Sequence, residues 1–147
     1  MRLSVQPEAF DPGAEANCFA AGASGAGAIV TFTGLVRNSA AGDLLAMQIE
    51  HYPGMTETAI AAMMDQAQAR WSLIDALVIH RHGRLLPGDV IMMVATAAAH
   101  RAEAFAAAEF LMDYLKSRAP FWKCEITPAG AHWVAAKDSD EAALTRW

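Results

Sequence analysis

The chain reads as an α+β protein, and three features of the sequence say so. Stretches rich in β-branched and aromatic residues, such as AIVTFTGLV at 28–36, are interleaved with long amphipathic stretches. Two strand-like stretches are separated only by the Pro-Gly turn Leu85–Asp89, which predicts an antiparallel hairpin. No internal repeat or linker interrupts the 147 residues, so one domain spanning 1–147 is expected.

Each element follows from local chemistry. Leu3–Gln6 alternates and predicts a short strand that Pro7 ends. Asp11-Pro12-Gly13 opens a helix, with aspartate at the cap and proline just inside it; the helix should run to about Ala21. Gly22–Gly27 is a loop without the lysine and Ser/Thr of a phosphate-cradling P-loop. Ala28–Val36 is a strand. The small polar loop Ser39–Asp43 separates it from Leu45–His51, where Leu45, Met47 and Ile49 alternate against Ala46, Gln48 and Glu50. This second strand is expected to complete a pair. After the Tyr52-Pro53-Gly54 turn, Thr56 is expected to cap a helix Thr56–Arg70 whose apolar stripe is Ala59, Ile60, Met63, Met64 and Ala67. Ile74–His82 and Val90–Ala97 are the hairpin strands. Arg101–Arg118 predicts a helix with Phe105, Ala108, Met112 and Leu115 on one face. Phe121–Thr127 is the last central strand, Pro128-Ala129-Gly130 turns it, and His132–Ala136 is a short paired strand. Ser139 is expected to cap a final helix ending at Trp147.

Composition narrows the function. A formal net charge of -5 argues against a nucleic-acid binder, which shows a broad basic face. No stretch offers the ~20 consecutive strongly apolar residues of a membrane span, and the N-terminus lacks the apolar core of a secretory signal; a soluble cytoplasmic protein is expected. Cys18 and Cys124 form neither a disulfide framework nor a metal-ligand spacing. Cys18 is expected to be a buried apolar residue. Cys124 is expected to point away from Lys123, since neighbours on a strand face opposite ways. His80 and His82 share a strand face but have no third ligand at a supporting spacing, so no metal is expected.

The basic residues are uneven. Before Arg37 the only one is Arg2, whereas Arg101, Lys116, Arg118 and Lys123 fall within one later segment. The segment MDYLKSRAPFWKCE, Met112–Glu125, sets Lys116 and Lys123 on either side of Pro120. Proline lacks a backbone donor and pushes the preceding residue out of helical geometry. A helix ending near Lys116–Arg118, a corner at Ala119-Pro120 and a strand from Phe121 are therefore expected. Two ammonium groups facing one space repel unless an anion lies between them; cations at a helix end are also what the helix dipole favours. Arg37 stands at a strand end, placed either to grip a phosphate with its planar fork or to pair with Asp43. His100-Arg101, where a strand hands over to a helix, suits an anion beside free backbone donors.

The ordered set TFTGLVRN (Thr31–Asn38), EHYPGM (Glu50–Met55), HRHGRLLPGD (His80–Asp89), AHR (Ala99–Arg101), MDYLKSRAPFWKCE (Met112–Glu125) and SDEAALTRW (Ser139–Trp147) resembles the MoaE family, the catalytic subunits of molybdopterin synthase. The resemblance implies an α/β hammerhead-like fold with an additional antiparallel β subdomain. It implies a homodimer within a heterotetramer, each end binding a small ubiquitin-like sulfur-carrier subunit with a C-terminal thiocarboxylate. It implies cyclic pyranopterin monophosphate (precursor Z) as substrate and two sulfur transfers that build the molybdopterin dithiolene, with no cofactor or metal held by this chain. The family's substrate contacts carry onto Arg37, His100, Arg101, Lys116 and Lys123, with Leu35, Val36, Cys124 and Glu125 beside them as backbone contacts. Lys116 and Lys123 are the implied catalytic pair. One holds or protonates the oxygen that leaves as sulfur arrives, and the other orients the thiocarboxylate.

Some positions depart from the family pattern. Leu35 stands where some members carry a basic residue, Cys124 where many carry arginine, and the loop Ser39–Asp43 is shorter than in some relatives. Lys137 matches a basic residue that reaches the neighbouring subunit's cavity. The competing readings are a non-catalytic paralogue that binds anions or docks the partner, and an unrelated lysine enzyme working through a Schiff base.

Overall fold

A computed structural model describes residues 1–135 and 138–147. Elements run β1 (Arg2–Gln6), α1 (Pro12–Gly22), β2 (Ala28–Leu35), β3 (Ala46–His51), α2 (Met55–Trp71), β4 (Asp75–Arg81), β5 (Gly83–Leu85), β6 (Val90–Ala98), α3 (Arg101–Ser117), β7 (Phe121–Thr127), β8 (Gly130–Trp133) and α4 (Asp138–Ala143), then a 3-10 turn at Leu144–Arg146. The strands form two four-stranded sheets, ordered β1-β4-β6-β2 and β5-β3-β7-β8. In the first, β1 runs parallel to β4 and the other pairs are antiparallel. The second is antiparallel throughout. The class is α+β, as expected.

Period-two alternation explains the first sheet. On β4 and β6, Ala76, Val78, Met92 and Val94 face a large core shared with α2, α3 and the second sheet. Leu77, Ile79, Met93, Ala95 and Ala97 face a smaller core under α1. Both faces are sealed, so these strands carry no polar alternation. Thr96 is an exception, fully buried, and its hydroxyl donates to the Ala104 carbonyl at 2.7 Å, fastening β6 to α3. Asp11 caps α1 as expected, accepting from the Gly13 and Ala14 amides at 2.8 and 3.1 Å.

Several expectations are corrected. β3 does not pair with β2: β2 lies at the edge of the first sheet beside β6, and β3 sits between β5 and β7 in the second. The intervening loop carries the chain from one sheet to the other, and alternation along a strand does not name its neighbour. Helix α2 starts before Thr56; Gly54 is its N-cap, and the Glu57 carboxylate accepts from the Gly54 amide at 2.6 Å. Cys18 is exposed, because α1 meets the sheet through Phe19 and Ala23. Phe105 is 63% exposed, because α3 turns Ala104, Ala107, Ala108, Phe110, Leu111 and Leu115 inward. The expected hairpin is antiparallel, β4 with β6, but β5 leaves it to pair with β3. β8 ends at Trp133, short of Ala136, and α4 begins at Asp138, so Ser139 is inside the helix.

Candidate functional site

The corner between α3 and β7 has the expected form. The Arg118 and Ala119 amides both return to the Tyr114 carbonyl, at 2.7 and 3.1 Å, and the Phe121 amide donates to the Ala119 carbonyl at 2.8 Å. β7 begins there. Fully buried Thr56 fastens the corner: its hydroxyl donates to the Pro120 carbonyl at 3.4 Å and accepts from the Tyr52 amide at 3.2 Å. Lys116, in the last turn of α3, and Lys123, early in β7, thereby open onto one cavity of about 1040 Å³. Arg37, Leu35 and Glu125 line the same cavity. Five of the residues singled out in the sequence thus converge.

Cys124 is buried and is not part of the cavity wall; its Sγ lies 3.9 Å from the Glu125 carbonyl. The strand faces Lys123 and Cys124 in different directions, as alternation requires. Val36 is also buried, its amide donating to Asp89 and its carbonyl accepting from Gly88, both at 2.8 Å. It anchors the strand end from which Arg37 projects.

The loop after β2 is tied internally. The Asn38 side-chain oxygen accepts from the Ser39 and Leu44 amides at 2.8 and 3.0 Å. The Ser39 hydroxyl donates to Asp43 at 2.5 Å and accepts from the Asp43 amide at 3.1 Å. Asp43 is therefore engaged within the loop, and among the described residues Arg37 forms no ion pair. Its guanidinium keeps its donors for a ligand.

Lys123 is only partly exposed. Burial pushes its ammonium pKa below the ordinary lysine value, the Lys116 ammonium pushes it further down, and Asp140 opposes both. A lysine so placed exchanges its proton more readily than a solvated one. Beneath the cavity floor, His80 stacks on Phe121 with ring centroids 3.8 Å apart. Its Nδ1 lies 2.8 Å from the Arg81 carbonyl, so that nitrogen carries the proton and donates. Burial, reinforced by Lys123, pushes the His80 pKa down to about 3, and the ring is neutral above that. His82 lies beyond the end of β4, its ring centroid 4.3 Å from that of His51. Among the described residues no group of three or more His, Cys, Asp or Glu side chains is arranged to hold a metal.

His100 and Arg101 are exposed at the far end of α3 and do not line this cavity. With a rise of ~1.5 Å per residue, roughly 22 Å of helix separates Arg101 from Lys116. Lys137 lies outside the described residues. The sequence reading missed Asp140, which lines the cavity from α4, and Trp122, which forms part of its rim. Nothing local marks Asp140: it is one acid among several in a short polar helix.

The family model described as MoaE protein matches residues 5–118. The molybdopterin synthase catalytic subunit of Cereibacter sphaeroides is 75% identical over 147 residues, covering 100% of both chains. That of Escherichia coli is 57% identical over 122 residues, covering 82% of this chain and 81% of its own. The solved MoaE protein of Burkholderia ambifaria superposes with a TM-score of 0.84 at 49% identity, covering 99% of this chain and 96% of that one.

Proposed function

This chain belongs to the MoaE family and is a catalytic subunit of molybdopterin synthase; from that premise we propose how its cavity performs sulfur transfer. The sulfur donor is the C-terminal thiocarboxylate of a small ubiquitin-like subunit, and the acceptor is precursor Z. The observation that carries this reading is the meeting of Lys116, Lys123 and Arg37 in one cavity of an acidic protein. A phosphate ester and a thiocarboxylate are both anions, and a cationic hollow concentrates them whatever the overall charge.

The residues divide the work by environment. Lys123, with its lowered pKa, is the group suited to pass a proton to the oxygen that leaves as sulfur arrives. Lys116, solvent-exposed at the helix end, orients the incoming thiocarboxylate and the charge that develops on transfer. Arg37 grips the phosphate or the pterin. Leu35 and Glu125 shape the walls, and Val36 and Cys124 hold the backbone behind them.

His100 and Arg101 reach a cavity only from a second copy of the chain. A homodimer supplies it. β2 is an edge strand with Ile29, Phe32 and Leu35 exposed, and Phe105 is exposed nearby on α3, which packs against β2. An uncovered apolar edge of this kind invites pairing. Each site then combines Arg37, Lys116 and Lys123 of one protomer with His100, Arg101 and the Lys137 segment of the other. With a small subunit at each end the assembly is a heterotetramer, working in the cytoplasm; no helix among the described residues is long and apolar enough to cross a membrane.

The test is to mix the protein with precursor Z and thiocarboxylated small subunit and to look for the dithiolene product by mass spectrometry. Product is expected from the wild-type chain, and its absence under conditions where the small subunit binds overturns the proposal.

A further inference from the structure

The C-terminal segment is clasped onto α3 and α2 along its length. Arg146 pairs with Glu109 and, at 2.8 Å, with Asp113. The Trp147 indole donates to Asp113 at 2.8 Å, and its ring meets those of Trp71 and Phe110 edge-on, with centroids 5.6 Å apart in each case. Arg70 donates to the Trp147 carbonyl at 3.1 Å. Nearer the cavity, the Ser117 hydroxyl donates to the Asp140 carbonyl at 2.9 Å, and one nitrogen of Arg118 reaches both oxygens of Glu141, at 2.6 and 2.8 Å. Exposed ion pairs of this sort contribute only about 0–1 kcal/mol each. Their geometric result is more consequential: they lay α4 against the end of α3 and set Asp140 in the wall of the cavity.

A carboxylate there is chemically unexpected, since it repels the anions the cavity is built to take. It has a counterpart in the lysine pair. Lys116 from α3 and Lys123 on β7 share the cavity with Arg37 from the loop after β2, a set of cations with no direct ion-pair partner among the described residues. Glu125, on β7 itself, is the other acid of the wall, and His80 beneath from β4 is neutral. We propose that Asp140 is a positioning residue for Lys123: delivered to the cavity wall by the C-terminal clasp, its carboxylate steadies the Lys123 ammonium against Lys116 and keeps it charged until the substrate anion takes over that role. The direction of the electrostatics agrees, because Asp140 favours the charged form of Lys123 while Lys116 and burial disfavour it. This deepens the reading of Lys123 as a catalytic group and rests on it for its functional meaning.

The test separates the two. Lys123 in the full-length protein is titrated by its rate of modification with a lysine-directed acylating reagent across pH, read by mass spectrometry of the peptide that contains it. Asp140→Asn removes the charge with little change in shape, so Lys123 loses its proton at lower pH and is modified severalfold faster at fixed pH. Asp140→Glu restores the wild-type curve. Arg146→Ala, which keeps the Asp140 carboxylate but loosens the clasp that holds it in the cavity wall, moves the curve in the same direction as Asp140→Asn. A Lys123 curve in Asp140→Asn that superimposes on the wild type overturns the proposal. The pH–rate profile of sulfur transfer is measured alongside. If the modification curve shifts and the rate profile does not, Asp140 acts on Lys123 as proposed, and the catalytic reading of Lys123 is what fails.

Discussion

The two sheets have the same number of strands and different duties. β4 and β6 of the first are buried on both faces, packed by alanine, valine, leucine, isoleucine and methionine between α1 on one side and α2 and α3 on the other. The second sheet packs Met47, Ile49 and Leu85 into the shared core, and on that same face Lys123 and Glu125 of β7, paired with Ile49 and Met47, line the cavity at the margin of the core, while Glu50 and Trp122 on the other face are exposed. A sheet sealed on both faces has no room for charged side chains, because an unpaired buried charge costs several kcal/mol. A sheet whose core face runs out into a cavity places a lysine half in and half out of solvent. That position lowers its pKa. The first sheet is scaffold, and the second presents chemistry.

That division yields graded predictions. The largest effect is on the second sheet: Lys123→Ala and Lys116→Ala should each reduce product formation by ~10²–10⁴-fold, as expected for loss of a positioned proton donor or anion-orienting group. Their melting curves should stay close to wild type. Near-normal turnover by both variants would remove the pair from the mechanism. In the sealed sheet the signs reverse. Leu77→Ala, at a fully buried position, should cost about 2–5 kcal/mol in chemical denaturation, while turnover per folded molecule is retained. A loss of turnover without loss of stability would break the comparison.

His80 links the two regions and gives a pH test. Its folded pKa of about 3 lies below its unfolded value of 6.5, so the unfolded chain binds the extra proton first. The stabilisation is full above the unfolded value and is lost as pH falls from 6.5 toward 3, at up to about 1.4 kcal/mol per pH unit. His82, also shifted down by burial, adds in the same direction. His80→Phe, which keeps a ring against Phe121, should flatten this acid slope in urea melts taken at several pH values; an unchanged slope would assign acid sensitivity elsewhere. The smallest expected effect lies furthest from the cavity. Asp11→Ala removes the α1 cap and should cost about 1 kcal/mol of stability with no change in sulfur transfer.

Legibility followed the range of the physics involved. The α3–β7 corner was readable because Pro120 acts on its immediate neighbours, and the placement of Lys116 and Lys123 followed from it. The Asp11 cap and the strand runs were readable for the same reason. The assignment of β2 and β3 to different sheets was not, since alternation records which face is buried and not which strand lies alongside. Phe105 misled because the inward face of α3 is largely alanine, which lets the sheet approach closely and leaves the larger ring outside. Asp140 was invisible because its position depends on a clasp made far along the chain by Arg146 and Trp147. The separation of His100 and Arg101 from the lysines was implicit in the length of α3. The composite cavity proposed above involves a second molecule, about which one chain's periodicity is silent.

The most direct test of the convergent cationic cavity uses mixed dimers. One protomer carries Lys123→Ala and the other Arg101→Ala, co-expressed with different tags and purified through both. With Arg101 acting across the dimer, one of the two sites in each mixed dimer is wholly wild type and the other lacks both groups. Sulfur transfer should therefore recover to about half the wild-type rate per dimer, far above either variant homodimer. Mixed dimers no more active than the variant homodimers would contradict the account.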